Sequence, residues 1–365
     1  MVILGSTGSI GKNALNLCEK FGVNVEALSC AKNVDLLNEQ ILKFKPKFVC
    51  VGDEKLAKNV KNIEAKNIFF GEAGLLQMLE ISSSKKVINA LVGFAGLAPS
   101  LKTQTLGKRL ALANKESLVV GGKFLKTREI LPIDSEHFGL KFLLENKTAP
   151  KRLIITASGG AFYKKPIKFL KDATPSDALK HPNWDMGAKI TIDSATMANK
   201  LFEVMEAYWL YGIKEIEAVI EPTSAIHAVV EFIDGSSTMH LSRPDMKLAI
   251  AHAIFENVNE NIVSHANLLD LKKIKFHKIS LKKYPIFSLK DEVLAKPDLG
   301  VVINAANEVG VFSFLEKKCS FLDISRLVLS SVKNFRDIKI SNIDEIFEAD
   351  KEVRNYAKRM LNAKV

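Results

Sequence analysis

The sequence predicts an α/β chain that opens on a parallel sheet, passes through a mixed α+β region and ends in helices. Three patterns predict it. Between residues 2 and 131, short apolar β-type runs alternate with helical stretches, as βαβ units around a parallel sheet require. At Pro132 and the acidic Asp134-Ser135-Glu136 that rhythm breaks, and strand-like runs then surround one long helical stretch. From Ile286 onward the pattern is helical. These patterns give domains at 1–134, 135–257 and 286–365, with 258–285 as a connecting segment.

In chain order, the first domain has β-type runs at 2–4, 23–28, 48–51, 68–70, 87–91 and 109–113, with helices at 12–21 and 34–44 among the connections. The central region has such runs at 152–156, 218–220, 228–233 and 238–241. Its long helix is expected near 194–211, where Asn199, Glu203 and Glu206 form a polar stripe opposite Leu201, Phe202, Val204, Met205, Tyr208 and Trp209. In the connecting segment, 271–284 reads as a basic strand with six lysines interleaved with Ile274, Phe276, Ile279 and Leu281. An edge strand guarded by lysine against aggregation fits that run better than a nucleic-acid surface, because aromatics for base stacking are nearly absent. The tail gives helices at 301–316 and 324–334. A last helix opens at Ser341-Asn342, with Glu345 three positions after Asn342 at capping-box spacing.

Composition narrows the functional classes. The chain has 365 residues, 47% hydrophobic and 25% charged, which excludes a wholly disordered protein, a collagen and a disulfide-stapled miniprotein. The longest nearly uncharged apolar stretch, 87–101, contains Asn89 and Pro99 and falls short of the ~20 residues a membrane helix needs. Four cysteines, at 18, 30, 50 and 319, form no C-x-x-C pair and no cluster with histidine, which argues against zinc and for a reducing compartment. The strand-like start Met1-Val2-Ile3-Leu4-Gly5 leads us to expect a cytoplasmic protein without a leader. A net charge of +11, from 52 Lys and Arg against 41 Asp and Glu, draws anions such as nucleic acid and phosphorylated small molecules.

The first strand runs into Gly5-Ser6-Thr7-Gly8-Ser9-Ile10-Gly11 and then a helix. Residues without Cβ let a pyrophosphate approach the backbone, and the helix N-terminus supplies free N–H groups, so a Rossmann-like dinucleotide site is the preferred reading over a ligand-free turn. The second strand ends in Leu28-Ser29-Cys30-Ala31-Lys32-Asn33, without the acid that binds a ribose 2′-hydroxyl. Lysine and small polar groups there suit the 2′-phosphate of NADP, although Lys32 also fits a plain solvated loop.

Further along, Asp134 and Glu136 flank Ser135. In an extended segment both carboxylates point to one side, with ~6.5 Å between Cα positions. Asn199, Glu203 or Glu206 would add a third ligand, and an all-oxygen set implies Mg²⁺ or Mn²⁺; a solvated surface pairing has the same sequence. Thr156-Ala157-Ser158-Gly159-Gly160 follows an apolar run and offers small residues and amides to a phosphate, with Ser194, Asn199 and Lys200 to complete the cradle. His181-Pro182-Asn183-Trp184-Asp185-Met186-Gly187 reads either as a structural turn or as a lid.

Together, GSTGSIG (5–11), AKNV (31–34), ALANKESLV (111–119), PIDSEH (132–137), ASGGAF (157–162), HPNWDMGAKITIDSATMANK (181–200) and NAANE (304–308) resemble, in order and spacing, the 1-deoxy-D-xylulose 5-phosphate reductoisomerase family. The resemblance spans nearly the whole chain. It implies an NADPH- and divalent-metal-dependent enzyme that acts on a phosphorylated sugar in isoprenoid synthesis, a homodimer without nucleic-acid or membrane partners. By motif, it places Thr7, Gly8, Ser9 and Ile10 at the NADPH pyrophosphate and Ala31, Lys32 and Asn33 near the adenosine 2′-phosphate. Asn114, Glu116 and Gly187 also fall to the cofactor. It makes Asp134, Glu136 and Glu203 the metal ligands and gives Lys115 and Glu136 catalytic roles. Lys115, Ser135, Glu136 and Glu203 would surround the substrate; Ser158, Ser194, Asn199 and Lys200 would hold its phosphate; His181 and Trp184 would belong to a mobile loop.

The chain departs from the family pattern at Ala31, commonly glycine, at Phe138, commonly asparagine, and in EPTSAIH (221–227), so no role is carried to Glu221 or Thr223. A metal-independent dehydrogenase of a phosphorylated sugar is the rival reading.

Overall fold

The structure is a computed structural model that describes residues 1–145, 148–255, 258–267, 269, 271 and 273–363. Lys272, one of the six lysines of the basic run, lies outside the described residues. The chain divides into two compact units. The first comprises 1–117, 125–135 and 245–263; the second comprises 118–124, 136–244 and 264–365.

In the first unit, seven parallel strands are β1 (Val2–Leu4), β2 (Ala27–Ser29), β3 (Phe48–Val51), β4 (Ile68–Phe70), β5 (Lys86–Asn89), β6 (Arg109–Leu112) and β7 (Leu131–Pro132), in the order β4-β3-β2-β1-β5-β6-β7. The order reverses between β1 and β5, the switch point at which open α/β sheets bind ligands. β1, β2 and β3 are buried along their whole length, which explains why they read as continuous apolar runs rather than alternating ones. Helix Ser9–Lys20 buries Ala14, Leu15, Leu17 and Cys18. Helix Lys247–Ile254, from the far segment, adds Ile250, Ala251 and Ala253 to the same core.

The second unit holds a mixed sheet of β8 (Pro150–Ala157), β9 (Ile216–Ile220), β10 (Ile226–Phe232) and β11 (Ser237–Leu241), ordered β11-β10-β8-β9. β8 and β9 are parallel, whereas β10 is antiparallel to β8 and β11. Its helical part contains Leu299–Leu315, Phe321–Asn334 and Ile343–Asn362, which pack on one another. Asn342 caps the last of these by accepting the Glu345 N–H at 3.0 Å.

Three local expectations are corrected. The long helix is two helices, Ala188–Thr196 and Ala198–Tyr211, separated by Met197 at φ +68°. That left-handed residue ends one helix and starts the next, so Ser194 falls on the first helix and the stripe of Asn199, Glu203 and Glu206 on the second. The basic run forms no strand among its described residues. Among the described residues His277 makes an isolated bridge to Ile220, and Ile274, Phe276 and Leu281 are exposed rather than turned to one buried face. Asp134-Ser135-Glu136 is not extended either: helix Ser135–Leu143 starts inside it, so Glu136 sits in a first helical turn.

Candidate functional site

At the end of β1 the glycine-rich turn of the first unit is shaped by backbone contacts. Gly5 has φ +79°, and a Cβ there would lie 2.6 Å from the Ala90 carbonyl oxygen; one on Gly11 would lie 2.3 Å from the Gly5 carbonyl. Those two glycines let the chain turn tightly into helix Ser9–Lys20 and leave Gly8 and Ser9 exposed, with Thr7 and Ile10 half-buried. The first amide bond of the helix runs from Lys12 to Gly8, at 2.9 Å. The N–H groups of Ser9, Ile10 and Gly11 therefore precede the helical ladder, where an anion is favoured.

After β2, Ala31, Lys32 and Asn33 are all exposed. Asn33 accepts the Leu36 N–H at 3.2 Å and caps the following helix. Ala31 accepts the Gly52 N–H at 3.0 Å, and its φ is not among the positive ones, so alanine stands there without strain. Asn114 is buried and donates to the carbonyls of Leu91 (3.0 Å) and Gly93 (2.8 Å) and to Glu116 Oε2 (3.2 Å). A Cβ on Gly96 would strike its amide. Asn114 thus organises the loops after β5 and β6. Lys115, also buried, is ion-paired with Asp134.

In the second unit, Glu136 and Glu203 converge on Lys200, whose Nζ donates to Glu136 Oε1 at 2.9 Å and to Glu203 Oε2. Burial works against the Lys200 ammonium, but the charges of Glu136 and Glu203 outweigh it and hold its pKa above the ordinary lysine range. Asn199 donates to the other Glu203 oxygen. Glu206, grouped with these residues by sequence, instead pairs with His137 at 3.1 Å in full burial. Ser135 is half-buried at the start of the helix that carries Glu136.

Ser158 stands at the end of β8, beside Gly159 and Gly160 in left-handed conformations at φ +88° and +69°. His181 lies 2.9 Å from the Ser158 hydroxyl through Nε2, while its Nδ1 accepts the N–H groups of Asn183 (3.2 Å) and Trp184 (3.0 Å). Two donors on Nδ1 assign the ring proton to Nε2, so the imidazole donates to Ser158. Burial lowers the His181 pKa to about 4, which keeps the ring neutral. The Ser158 oxygen also accepts the Gly160 N–H at 3.1 Å. Both its lone pairs are then taken, and its own proton is free to be offered to an anion. Gly160 rests on Ser194, since a Cβ there would be 2.6 Å from the Ser194 carbonyl oxygen. Gly187 is exposed and accepts the Thr191 N–H at 3.1 Å, as the cap of helix Ala188–Thr196.

Several anchors carry no recognisable sequence signal. Tyr284 donates its hydroxyl to Gly159 at 2.9 Å, and Lys283 donates to the carbonyls of Tyr163 and Lys165, each at 2.7 Å. Asn183 donates to Pro222 O and Ser224 Oγ, each at 2.8 Å. Glu221, fully buried, accepts from Thr223, Ala225 and Ile226, so the unusual EPTSAIH segment is a carboxylate-organised turn.

Comparison with known proteins agrees with this geometry. A family model described as 1-deoxy-D-xylulose 5-phosphate reductoisomerase matches residues 1–122, and two C-terminal-domain models of the same enzyme match 130–211 and 241–356. The chain is 72% identical over all its length to the 1-deoxy-D-xylulose 5-phosphate reductoisomerase of Campylobacter curvus, covering 100% of both, and 62% identical to that of Campylobacter hominis, covering 99% of both. Among solved structures it resembles a reductoisomerase in complex with NADPH, fosmidomycin and magnesium, with a TM-score of 0.91 and 33% identity over 99% of this chain and 98% of that one. The Zymomonas mobilis enzyme in complex with NADPH gives 0.87 and 32% over the same shares. Among the described residues, no helix is long and apolar enough to cross a membrane.

Proposed function

The chain belongs to the 1-deoxy-D-xylulose 5-phosphate reductoisomerase family, and from that premise we propose how its residues share the reaction. The protein converts 1-deoxy-D-xylulose 5-phosphate to 2-C-methyl-D-erythritol 4-phosphate in non-mevalonate isoprenoid synthesis, using NADPH and a divalent metal such as magnesium.

The observation that carries the metal assignment is the convergence of Glu136 and Glu203 on one ammonium. With Asp134, the residue before Ser135 in the sequence, they would make an all-oxygen carboxylate set suited to Mg²⁺ or Mn²⁺. Lys200 already puts a positive charge against two of these carboxylates, so the site's chemistry fits a cation. When bound, the metal supplies Lewis-acid stabilisation of the oxyanions formed as a carbon–carbon bond breaks and re-forms, and NADPH supplies the hydride.

The chain's own groups do the rest. Lys115 and Ser135 orient the substrate backbone, and Lys115 holds developing negative charge. Glu136 takes and returns a hydroxyl proton. Ser158, Ser194, Asn199 and Lys200 bind the phosphate, and His181 keeps the Ser158 proton pointed at it. Thr7, Gly8, Ser9 and Ile10 receive the pyrophosphate, with the amides of Ser9 and Ile10 free to donate; Ala31, Lys32 and Asn33 meet the adenosine phosphate; Asn114 and Glu116 lie at the cofactor. Gly187 and Trp184 close over the bound molecules and keep out water.

The test is NADPH oxidation with substrate and Mg²⁺ beside an EDTA-treated control, together with Mn²⁺ titration followed by electron paramagnetic resonance. Activity should vanish with EDTA and return with metal. Glu203→Gln should weaken Mn²⁺ binding by about tenfold or more while NADPH affinity stays unchanged. Wild-type Mn²⁺ affinity in Glu203→Gln would overturn the ligand set, and EDTA-resistant turnover would favour a metal-independent dehydrogenase.

A further inference from the structure

Helix Leu299–Leu315 is buried from Leu299 through Val311, yet it carries Asn304, Asn307 and Glu308 within that apolar surface. These are polar residues of NAANE (304–308), and none of them takes part in the cofactor, metal or substrate roles. A buried amide or carboxylate is costly unless hydrogen-bonded, and a packed apolar residue would usually stabilise as well or better. What a buried polar pair adds is register: it is satisfied in one relative placement of two elements.

Here the pair is Asn307 with Asp193. The Asn307 amide donates to Asp193 Oδ1 at 2.7 Å, while Lys189 donates to Asp193 Oδ2 at 2.8 Å. All three residues are buried. Beside it on the same helix, Asn304 donates to Glu308 at 3.2 Å, and Arg354 of the last helix binds Glu308 at 2.6 Å and Asp350 in two bonds. Helix Leu299–Leu315 is thereby pinned to Ile343–Asn362 through Glu308 and to Ala188–Thr196 through Asn307.

Ser194 follows Asp193 directly, and its carbonyl supports Gly160 with no room for a Cβ between them. Any rotation of helix Ala188–Thr196 about its axis would therefore move the Ser194 hydroxyl and the seat of the 158–160 turn together. We propose that Asp193 and Asn307 are positioning residues for the substrate's phosphate, holding the helix that carries Ser194 against the C-terminal helices. The proposal rests on the assignment of Ser158 and Ser194 to the phosphate.

The experiment is steady-state kinetics on the full-length enzyme with NADPH and Mg²⁺, alongside NADPH binding by fluorescence and thermal unfolding. Asn307→Leu and Asp193→Asn should raise KM for the sugar phosphate by on the order of tenfold to a hundredfold, with NADPH affinity unchanged. Asn307→Ser, which keeps a donor of shorter reach, is the milder variant should those two not fold, and the same direction is expected. The double variant Asp193→Asn with Asn307→Asp exchanges amide and carboxylate across the same bond and should return KM to near the starting value. Ser194→Ala separates the two claims. An unchanged KM in Ser194→Ala would remove the phosphate assignment itself. A raised KM there, with unchanged KM in folded Asn307 and Asp193 variants of lowered melting temperature, would overturn the positioning role and leave only a structural one.

Discussion

His181 shows how a single residue's protonation state follows from its partners. Two backbone N–H groups point at Nδ1, so a charged imidazolium, with a hydrogen on Nδ1, would break the turn that presents Trp184. Burial depresses the folded pKa to about 4, below the ordinary value of about 6.5. The unfolded chain therefore binds the proton first: the His181 contribution to stability is complete above about pH 6.5 and diminishes as pH falls toward 4. We predict that Trp184 fluorescence, read in a Trp209→Phe background, changes with a midpoint near pH 4. A midpoint near the ordinary histidine value would mean that Nδ1 is not the acceptor. Residues such as Ser158, Lys200 and Glu203 stood out as candidates in the sequence because each lies in a short segment of concentrated chemistry. Tyr284 and Lys283 were not, since they act through long-range bonds made by residue types that are common elsewhere, and NAANE did not show that its Asn307 reaches Asp193.

Elements were readable in kind more than in their joints. Six strands of the first unit, β1 to β6, were placed to within a few residues, because a buried parallel strand is a short continuous apolar run with turn residues on either side, whereas the two-residue β7 was too short to register. The bend at Met197 was not, because left-handed backbone at a methionine leaves no compositional mark. Neither was the tie between β2 and the loop before β5. Glu26, next to the first residue of β2, accepts from Ser82 Oγ (2.8 Å), from Ser83 N and Oγ (2.9 Å each), and from Ser84 N (2.7 Å) and Oγ. Burial opposes its charge, but the bonds from Ser84, Ser83 and Ser82 outweigh that and bring its pKa to about 2. With the folded value below the ordinary one, the carboxylate stabilises the fold above about pH 4.5, and that stability is lost as pH falls through 2. Glu26→Gln should therefore cost roughly 2–3 kcal/mol at pH 7, a size set by the pKa difference, and much less near pH 2. Urea unfolding at the two pH values checks this. An equal loss at both would assign the effect to packing.

At the scale of the whole molecule, the first unit is not a continuous piece of chain. Its sheet ends with β7, yet residues 245–263 return to it after the intervening stretch has built the mixed sheet of the second unit. Helix Lys247–Ile254 packs on helix Ser9–Lys20 and buries Ile250 and Ile254 in the core around Leu15, Val25 and Leu28. Phe255 meets Phe21 edge-on at 4.9 Å, and Lys86 donates to the Ile254 carbonyl. Hydrophobic periodicity reports that a helix has a buried face but not which distant element covers it, so this closure could not be read from the sequence. Each fully buried isoleucine contributes about 1.5–3 kcal/mol, against a total of about 5–15 kcal/mol for a typical domain. A fragment ending at residue 135 should therefore retain helices and strands by far-ultraviolet circular dichroism, yet bind a hydrophobic dye and melt without a cooperative transition. Joining residues 245–263 to that fragment through a flexible glycine-serine linker should restore a sharp transition and suppress the dye signal. A sharp melt from the 1–135 fragment alone would show that the returning helix is an accessory, and that the parallel sheet closes its own core.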